Sequence, residues 1–376
     1  MEYRTLGRTG LQVGAIGLGT EHITREPENL DAVMRATAEA GASFIDLLYA
    51  DPQGKDADFY AGFGPALREY RDKLVLAAHW GEANDYAMGY CRKLMEDTLA
   101  CLGNGYAEVA MMTMIDTEVK WREWGQRSVE VLREEYQAKG RIGYIGVSTH
   151  APSLAVKMVR SGLIDVLMYP LNMMSALGEQ DRTRVSVTLP FTTLCPLDLV
   201  SSMRMGDRAV VQACVEENVG LVAMKVYRGG TLFNYRGQPS GVTPEQCLSY
   251  VLSLPIASVV PGPKNLGEWQ AALRYLQATD AEKDFSAVLP TLGRFAEGTC
   301  IQCDHCLPCP QDIPIGYMMN LAGVAQYYVR EEIETDYQEL QARASDCSEC
   351  GICMERCPYD VDIIGKMRKV VEFFGK

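Results

Sequence analysis

This chain has little positive charge, little histidine and no long apolar run. Lys and Arg number 36 against 49 Asp and Glu, a formal net charge of −13 at pH 7, and there are 4 His. So acidic a surface repels phosphate backbones and anionic headgroups, which sets nucleic-acid binding and membrane-surface roles aside. No stretch is apolar enough to span a bilayer, and the opening residues Met1-Glu2-Tyr3-Arg4-Thr5-Leu6-Gly7 form no apolar signal segment. Low-complexity tracts, proline-rich linkers and long like-charge runs are also missing, so no disordered regulatory tail is expected. An acidic cytoplasmic enzyme is the expectation. With 376 residues and 47% hydrophobic content, the chain can bury a large core and has room for one large domain and one small one.

Cysteine is present in excess: of 13, eight fall in two short runs near the C-terminus. The first is Cys300, Cys303, Cys306 and Cys309 before Pro310; the second is Cys347, Cys350, Cys353 and Cys357 before Pro358. The second run reads C-x2-C-x2-C-x3-C-P, a spacing in which three thiolates hold one iron–sulfur cluster and the fourth reaches another. The first run is one residue shorter. Four plus four thiolates suit two [4Fe–4S] clusters, with Cys300, Cys303, Cys306 and Cys357 on one and Cys347, Cys350, Cys353 and Cys309 on the other. Disulfides need an oxidising compartment, and structural zinc prefers paired C-x2-C knuckles separated by a spacer. Cys91, Cys101, Cys195, Cys214 and Cys247 lie scattered in apolar sequence and read as small buried hydrophobes.

Ahead of the cysteines, short apolar runs alternate with helical stretches, the pattern of a parallel sheet covered by helices. Eight strands are expected at Ala15–Gly19, Phe44–Leu47, Leu74–His79, Val109–Thr113, Tyr144–Ser148, Val166–Tyr169, Leu221–Met224 and Ser258–Val260. Helices are expected over Asn29–Ala40, Tyr90–Leu102, Trp121–Lys139, Ser153–Arg160 and Asp207–Glu217, several closed by glycine at Gly41, Gly103, Gly140 and Gly162. The fold class is therefore α/β: a (β/α)8 TIM barrel over residues 1–285, followed by a small, mostly helical, ferredoxin-like two-cluster domain over 286–376. In such a barrel chemistry sits at the C-terminal ends of the strands and in the loops after them.

Tyr3-Arg4-Thr5-Leu6-Gly7-Arg8-Thr9-Gly10, Ile16-Gly17-Leu18-Gly19-Thr20, Phe44-Ile45-Asp46, Tyr144-Ile145-Gly146-Val147-Ser148, Ala223-Met224-Lys225 and Val260-Pro261-Gly262 follow one another in the order found in aldo/keto reductases. Nearly the whole chain resembles that family, and the two cysteine runs resemble its subgroup with a C-terminal ferredoxin-like extension. The resemblance implies a carbonyl reductase with a tyrosine acid, tuned by lysine, aspartate and histidine, and a nicotinamide as hydride source. Position by position, that tetrad is mostly replaced. Asp46 matches the aspartate. Asp51 stands where the tyrosine is expected, His79 in place of the lysine and Thr113 in place of the histidine. An ordinary aspartate ionises near pH ~4, whereas tyrosine holds its proton to about 10, so Asp51 is a poor replacement acid. Tyr49 or Tyr60, in a loop longer than the family's, could fold back into the vacant place.

For the cofactor, the resemblance implies that Ser148 and Asn172 hold a nicotinamide carboxamide and that Gly262 and Lys264 form the phosphate-contact turn. Met168 stands where the family has glutamine, and Ala271 and Ala272 replace its adenine-holding residues. Gly229 and Gly230 could also approach a phosphate. Beyond these, His22, Thr113, His150, Lys225, Tyr227 and Arg228 are candidate substrate contacts, with Tyr227 and Arg228 expected to project to the mouth and grip an anion. His22, His79 and His150, with Glu21, Asp46, Asp51 and Lys225, form either a proton-transfer set or a metal site. His305 is expected to tune or shield a cluster by hydrogen bonding. The segment from Met173 to Met205 should cover the barrel mouth.

Clusters move one electron at a time and nicotinamide moves a hydride, so losing the hydride-chemistry residues favours an iron–sulfur oxidoreductase. In this reading two [4Fe–4S] clusters pass single electrons from a ferredoxin or other one-electron donor to a small-molecule substrate or cofactor at the mouth. Asp46, His79 and Tyr49 or Asp51 handle protons. NAD(P)H or flavin remains an option for the barrel. The alternatives are an NAD(P)H-dependent carbonyl reductase with a rebuilt acid, a non-redox lyase, hydratase or metal-dependent enzyme using strand-end histidines, and an inactive barrel serving as an electron relay.

Overall fold

The computed structural model describes residues 1–48, 56–81, 86–177, 203–324 and 330–375. Eight parallel strands form one sheet in chain order: β1 Leu18–Gly19, β2 Phe44–Leu47, β3 Val75–Trp80, β4 Ala107–Met112, β5 Ile142–Ser148, β6 Val166–Pro170, β7 Gly220–Met224 and β8 Ser258–Val259. Ile16 bridges Val259 in parallel, and Gly17 N donates to Val259 O at 2.8 Å, which brings the last strand back to the first. A Cβ at Gly17 would sit 2.5 Å from the carbonyl oxygen of Phe44, so only glycine permits this approach.

Two-residue alternation sorts the side chains. Phe44, Val75, Ala77, Val109, Met111, Val166, Met168 and Val222 pack in one cluster, the barrel lumen. Their neighbours Ile45, Leu76, Ala78, Ala110, Leu167, Tyr169, Leu221 and Ala223 pack in a second cluster under the helices. The lumen is plugged at its N-terminal end by a hairpin that the sequence pattern did not reveal, Tyr3–Thr5 paired antiparallel with Gln12–Gly14. Its Leu6 and Val13 are fully buried in the lumen cluster.

The helices follow the expected order. Pro27–Ala40, Met88–Cys101 and Pro152–Arg160 match the periodic stretches, and Gly41, Gly103, Gly140 and Gly162 all adopt the left-handed conformation just beyond their helices. The expected helix from Trp121 begins at Glu118 and widens to π geometry over Trp121–Gly125 and Leu132–Gln137. No helix among the described residues is long and apolar enough to cross a membrane.

After β8 the chain becomes helical, with helices at Ile315–Val324, Arg330–Glu339, Ile352–Arg356 and Ile363–Phe374. Two groups of ties, among others, hold this region on the barrel. The Asp336 carboxylate accepts the Glu118 and Val119 N–H groups, each at 2.8 Å, capping the start of a barrel helix, and also accepts the Tyr317 hydroxyl at 3.0 Å. Arg122 forks onto both oxygens of Glu339 at 3.0 and 3.1 Å. The second tie is Arg204, which donates both to the Ile301 carbonyl and to Asp207; Asp207 in turn accepts the Tyr169 hydroxyl at 2.8 Å. Replacing Asp336 by Ala orphans two helix-start N–H groups and should cost about 2 kcal/mol. Hydrogen exchange at Glu118 and Val119 should accelerate accordingly, and unchanged exchange would refute this role.

Candidate functional site

The alternation that fills the lumen also sets the polar groups at its mouth. Asp46 follows Phe44 by two residues, His79 follows Ala77 and Thr113 follows Met111, so all three face the lumen at the C-terminal ends of β2, β3 and β4. They are buried and joined. His79 Nε2 lies 2.7 Å from Asp46 Oδ1, and His79 Nδ1 lies 2.9 Å from Thr113 Oγ1. Thr113 Oγ1 also lies 2.6 Å from the Gly81 carbonyl oxygen. A carbonyl oxygen has no proton to give, so the Thr113 hydroxyl donates to Gly81 and must accept from His79. The imidazole therefore carries a proton on Nδ1, and a second proton lies between Nε2 and Asp46. Whether written as imidazolium–carboxylate or imidazole–carboxylic acid, the pair is neutral and holds one transferable proton. The second Asp46 oxygen takes no hydrogen bond among the described residues.

The remaining expected site residues are placed more diversely. Ser148 is buried at the end of β5, and its Oγ accepts the Met114 N–H at 2.8 Å. Asn172 accepts the Met174 N–H at 3.1 Å and donates to the Lys225 carbonyl at 3.4 Å. At the turn holding Gly262 and Lys264, the Lys264 N–H is already taken by the Glu268 carboxylate at 2.8 Å. His150 is held by Asp116, which accepts its ring Nδ1–H at 2.9 Å and its backbone N–H at 2.6 Å. His22 is exposed beside Glu21. The three strand-end histidines thus have separate partners, and no three His, Cys, Asp or Glu among the described residues converge on a single-ion site. Lys225 is exposed and left-handed at φ 57°. Tyr227 does not reach the mouth as expected: its hydroxyl is buried without a partner, its ring packs 5.3 Å from Phe233, and burial pushes its phenol far up. Arg228 instead lines an open cleft with Arg236 and Arg294. Tyr49, Asp51, Cys195 and most of the expected mouth cover lie outside the described residues.

Among the described residues all cysteines are free thiols, and those of the two runs gather in two sets. Cys309, Cys347, Cys350 and Cys353 line one cavity, walled by Ile313, Ile315, Ile363 and Met367, and Cys306 borders it as well. Cys300, Cys303 and Cys357 lie in mutual electrostatic range, and Cys306 lies in range of Cys300 and Cys303. The two loops repeat one backbone device. Gln302 and Glu349, two residues past the first cysteine of each run, are left-handed at φ 57° and 54°. Asp304 and Gly351, one past the second cysteine, follow at 61° and 80°. Left-handed Gln, Asp and Glu each cost roughly 1 kcal/mol, strain that marks a loop shaped around something. Burial differs between the sets: Cys306 and Cys357 are buried, whereas Cys350 is exposed. His305 Nδ1, inside the first run, is buried and has no hydrogen-bond partner. Eight thiols, apolar walls and one orphaned ring nitrogen fit a thiolate-held inorganic group at each set.

Residues 11–247 match the model of the aldo/keto reductase family, and residues 299–362 match a 4Fe-4S dicluster domain. The chain is 27% identical over 175 residues to L-glyceraldehyde 3-phosphate reductase of Escherichia coli K12, a match covering 42% of this chain and 48% of that protein. It therefore spans about half the length of that relative. Uncharacterized oxidoreductase YqkF of Bacillus subtilis is 22% identical over 309 residues, 75% of this chain and 92% of its own. The fold is that of the aldo-keto reductase AKR11C1 of Bacillus halodurans in its holo form, with a TM-score of 0.55 and 18% identity, covering 77% of this chain and 96% of that one. The chain belongs to the aldo/keto reductase family of oxidoreductases and carries a 4Fe-4S dicluster domain behind the barrel.

The proton assignment at the mouth is open to measurement. Nitrogen NMR of the labelled imidazole should find His79 Nδ1 protonated, and Thr113→Val should shift that resonance by removing its acceptor. An unprotonated Nδ1 would overturn the assignment.

Proposed function

We propose that this aldo/keto reductase family member is an iron–sulfur oxidoreductase that reduces a small organic substrate at the barrel mouth with single electrons from an external donor such as a ferredoxin. The barrel is taken to end near residue 285, and two [4Fe–4S] clusters are assigned to the domain that follows. Cys300, Cys303, Cys306 and Cys357 would hold the inner one, and Cys309, Cys347, Cys350 and Cys353 the outer one. When bound, such clusters supply one-electron steps at low potential. The observation that carries the reading is the Arg204 tie, in which a buried guanidinium rooted on the barrel donates to the carbonyl of Ile301, the residue after Cys300. The inner thiol set is thereby fastened to β6, and the exposed Cys350 marks the outer set as the side open to a donor.

This chain's own residues would handle the protons. Reducing a C=O or C=C bond takes two electrons and two protons, and the Asp46–His79 pair stores one of those protons. That one proton can pass to the substrate from the Asp46–His79 pair, with Thr113 and Gly81 fixing the ring, and solvent would then reprotonate the pair and supply the other proton. The pair sits at the aspartate and lysine positions of the family's tetrad.

The cofactor turn supports the same choice. The Lys264 N–H that a phosphate would need is held by a carboxylate, and Ser148 and Asn172 are committed within the chain. These contacts take up part of the polar capacity that a nicotinamide would use, which favours the one-electron reading.

Purified without oxygen, the protein should contain about eight irons, and Cys350→Ser should lower this to about four. Visible absorbance should bleach with a one-electron reductant and not with NADPH alone. His79→Phe should lower turnover at least 100-fold while leaving iron content unchanged, the scale expected for losing an acid–base group. NADPH-driven carbonyl turnover that survives the loss of both thiol sets would sink the proposal.

A further inference from the structure

We propose that the cleft between the segment after β7 and the stretch leading into the first cysteine run binds a small organic dianion carrying two oxyanion groups, a diphosphate or a dicarboxylate. The cleft, of about 430 Å³, is lined by Arg228, Thr231, Asn234, Tyr235, Arg236, Arg294, Phe295 and Glu297. That volume lies within the range of small-ligand sites. In a chain with a formal charge of −13, three guanidiniums here face a single carboxylate. Arg236 takes that carboxylate, Glu297, at 2.6 Å.

The other two guanidiniums are unspent. Neither Arg228 nor Arg294 has an ion-pair partner among the described residues. Arg228 makes one long contact, 3.3 Å to the Phe295 carbonyl. Arg294 donates at 2.9 Å to the Ser240 carbonyl, and its Nε is buried with no partner among the described residues. A guanidinium without a counter-charge keeps donors to spare, and an oxyanion in the cleft would engage those on its terminal nitrogens. Burial and the nearby Arg204 charge pull the Arg228 guanidinium below its ordinary range, the response of a cation that lacks its counter-charge.

The forks are also held in place. The Arg294 guanidinium lies 5.2 Å from the Tyr235 ring centre and 4.9 Å from that of Phe295, and Arg236 lies 5.2 Å from Tyr235. Stacking of this kind restrains a guanidinium plane before any ligand arrives. Arg228 sits at φ 51°, followed by Gly229 at 63° and Gly230 at 82°, a left-handed run that pins the residue at the cleft wall. Two free forks ask for two oxyanions, and the Asn234 amide lies at the edge, while the Thr231 hydroxyl is spent on the Arg228 carbonyl. None of these residues belongs to the Gly262–Lys264 turn or to the Asp46–His79 pair, so the site stands apart from the catalytic reading. In sequence it lies just ahead of the first cysteine run, Phe295 and Glu297 leading to Cys300.

The test uses the full chain, prepared without oxygen and titrated calorimetrically at low ionic strength with inorganic pyrophosphate and, separately, with phthalate. Saturable binding of at least one probe at one site per chain is expected. Arg228→Gln and Arg294→Gln should each weaken it at least 10-fold, and the double variant should abolish it. Arg228→Lys and Arg294→Lys, which keep the charge and lose the fork, should bind at intermediate strength, and Arg274→Gln, on the outer surface, should match the parent. Binding of pyrophosphate alone assigns the phosphate class, and binding of phthalate alone the dicarboxylate class. No saturable binding of either probe, or equal binding by the parent and a folded double variant, overturns the site.

Discussion

Closure of the sheet is the constraint on which the rest depends. Glycine at position 17 lets the first strand's backbone reach Val259, and the N-terminal hairpin seals the opposite end with Leu6 and Val13. Together they make the lumen dry. In a dry lumen a polar group without a partner is expensive, so the hydrogen bonds at the mouth must balance proton by proton. That balance commits the Thr113 hydroxyl to Gly81, obliges His79 to donate through Nδ1 and leaves one proton shared with Asp46. In open solvent the same residues would exchange partners freely and carry no defined proton.

How much of this was legible follows from the range of each interaction. The barrel strands were legible because each is a short apolar run, and the helix ends because left-handed glycines mark them. Asp46, His79 and Thr113 could be located because strand ends count off from apolar neighbours at period two. The cluster domain was legible because both cysteine runs are short, similarly looped and end in Cys-Pro. The hairpin plug could not, since its strands are three residues each, too short for alternation to rise above chance. Arg204, Asp336 and Arg294 were missed for another reason: each acts on a residue far along the chain, as Arg204 does on Ile301, and nothing local marks such a partner. Tyr227 was misjudged because Lys225 turns left-handed two residues earlier, which breaks the strand parity that would have aimed the ring at the mouth.

Charge placement ties the two ends of the molecule together. The inner thiol set feels Lys366 at Cys300 and the Asp304 carboxylate at Cys300, Cys303 and Cys306, while Arg204, paired with the buried Asp207, reaches it through the Ile301 carbonyl. The outer set is bordered by Glu349, whose carboxylate is engaged by Arg368, and by Ser348 and Gln311, with no unpaired cation on the cavity wall. An electron is stabilised by nearby positive charge, more strongly where burial lowers the dielectric. On the proposed assignment the buried Cys306 and Cys357 set the inner position deeper than the outer one, which the exposed Cys350 opens to solvent, so a charge placed near the inner position acts on an electron there more strongly.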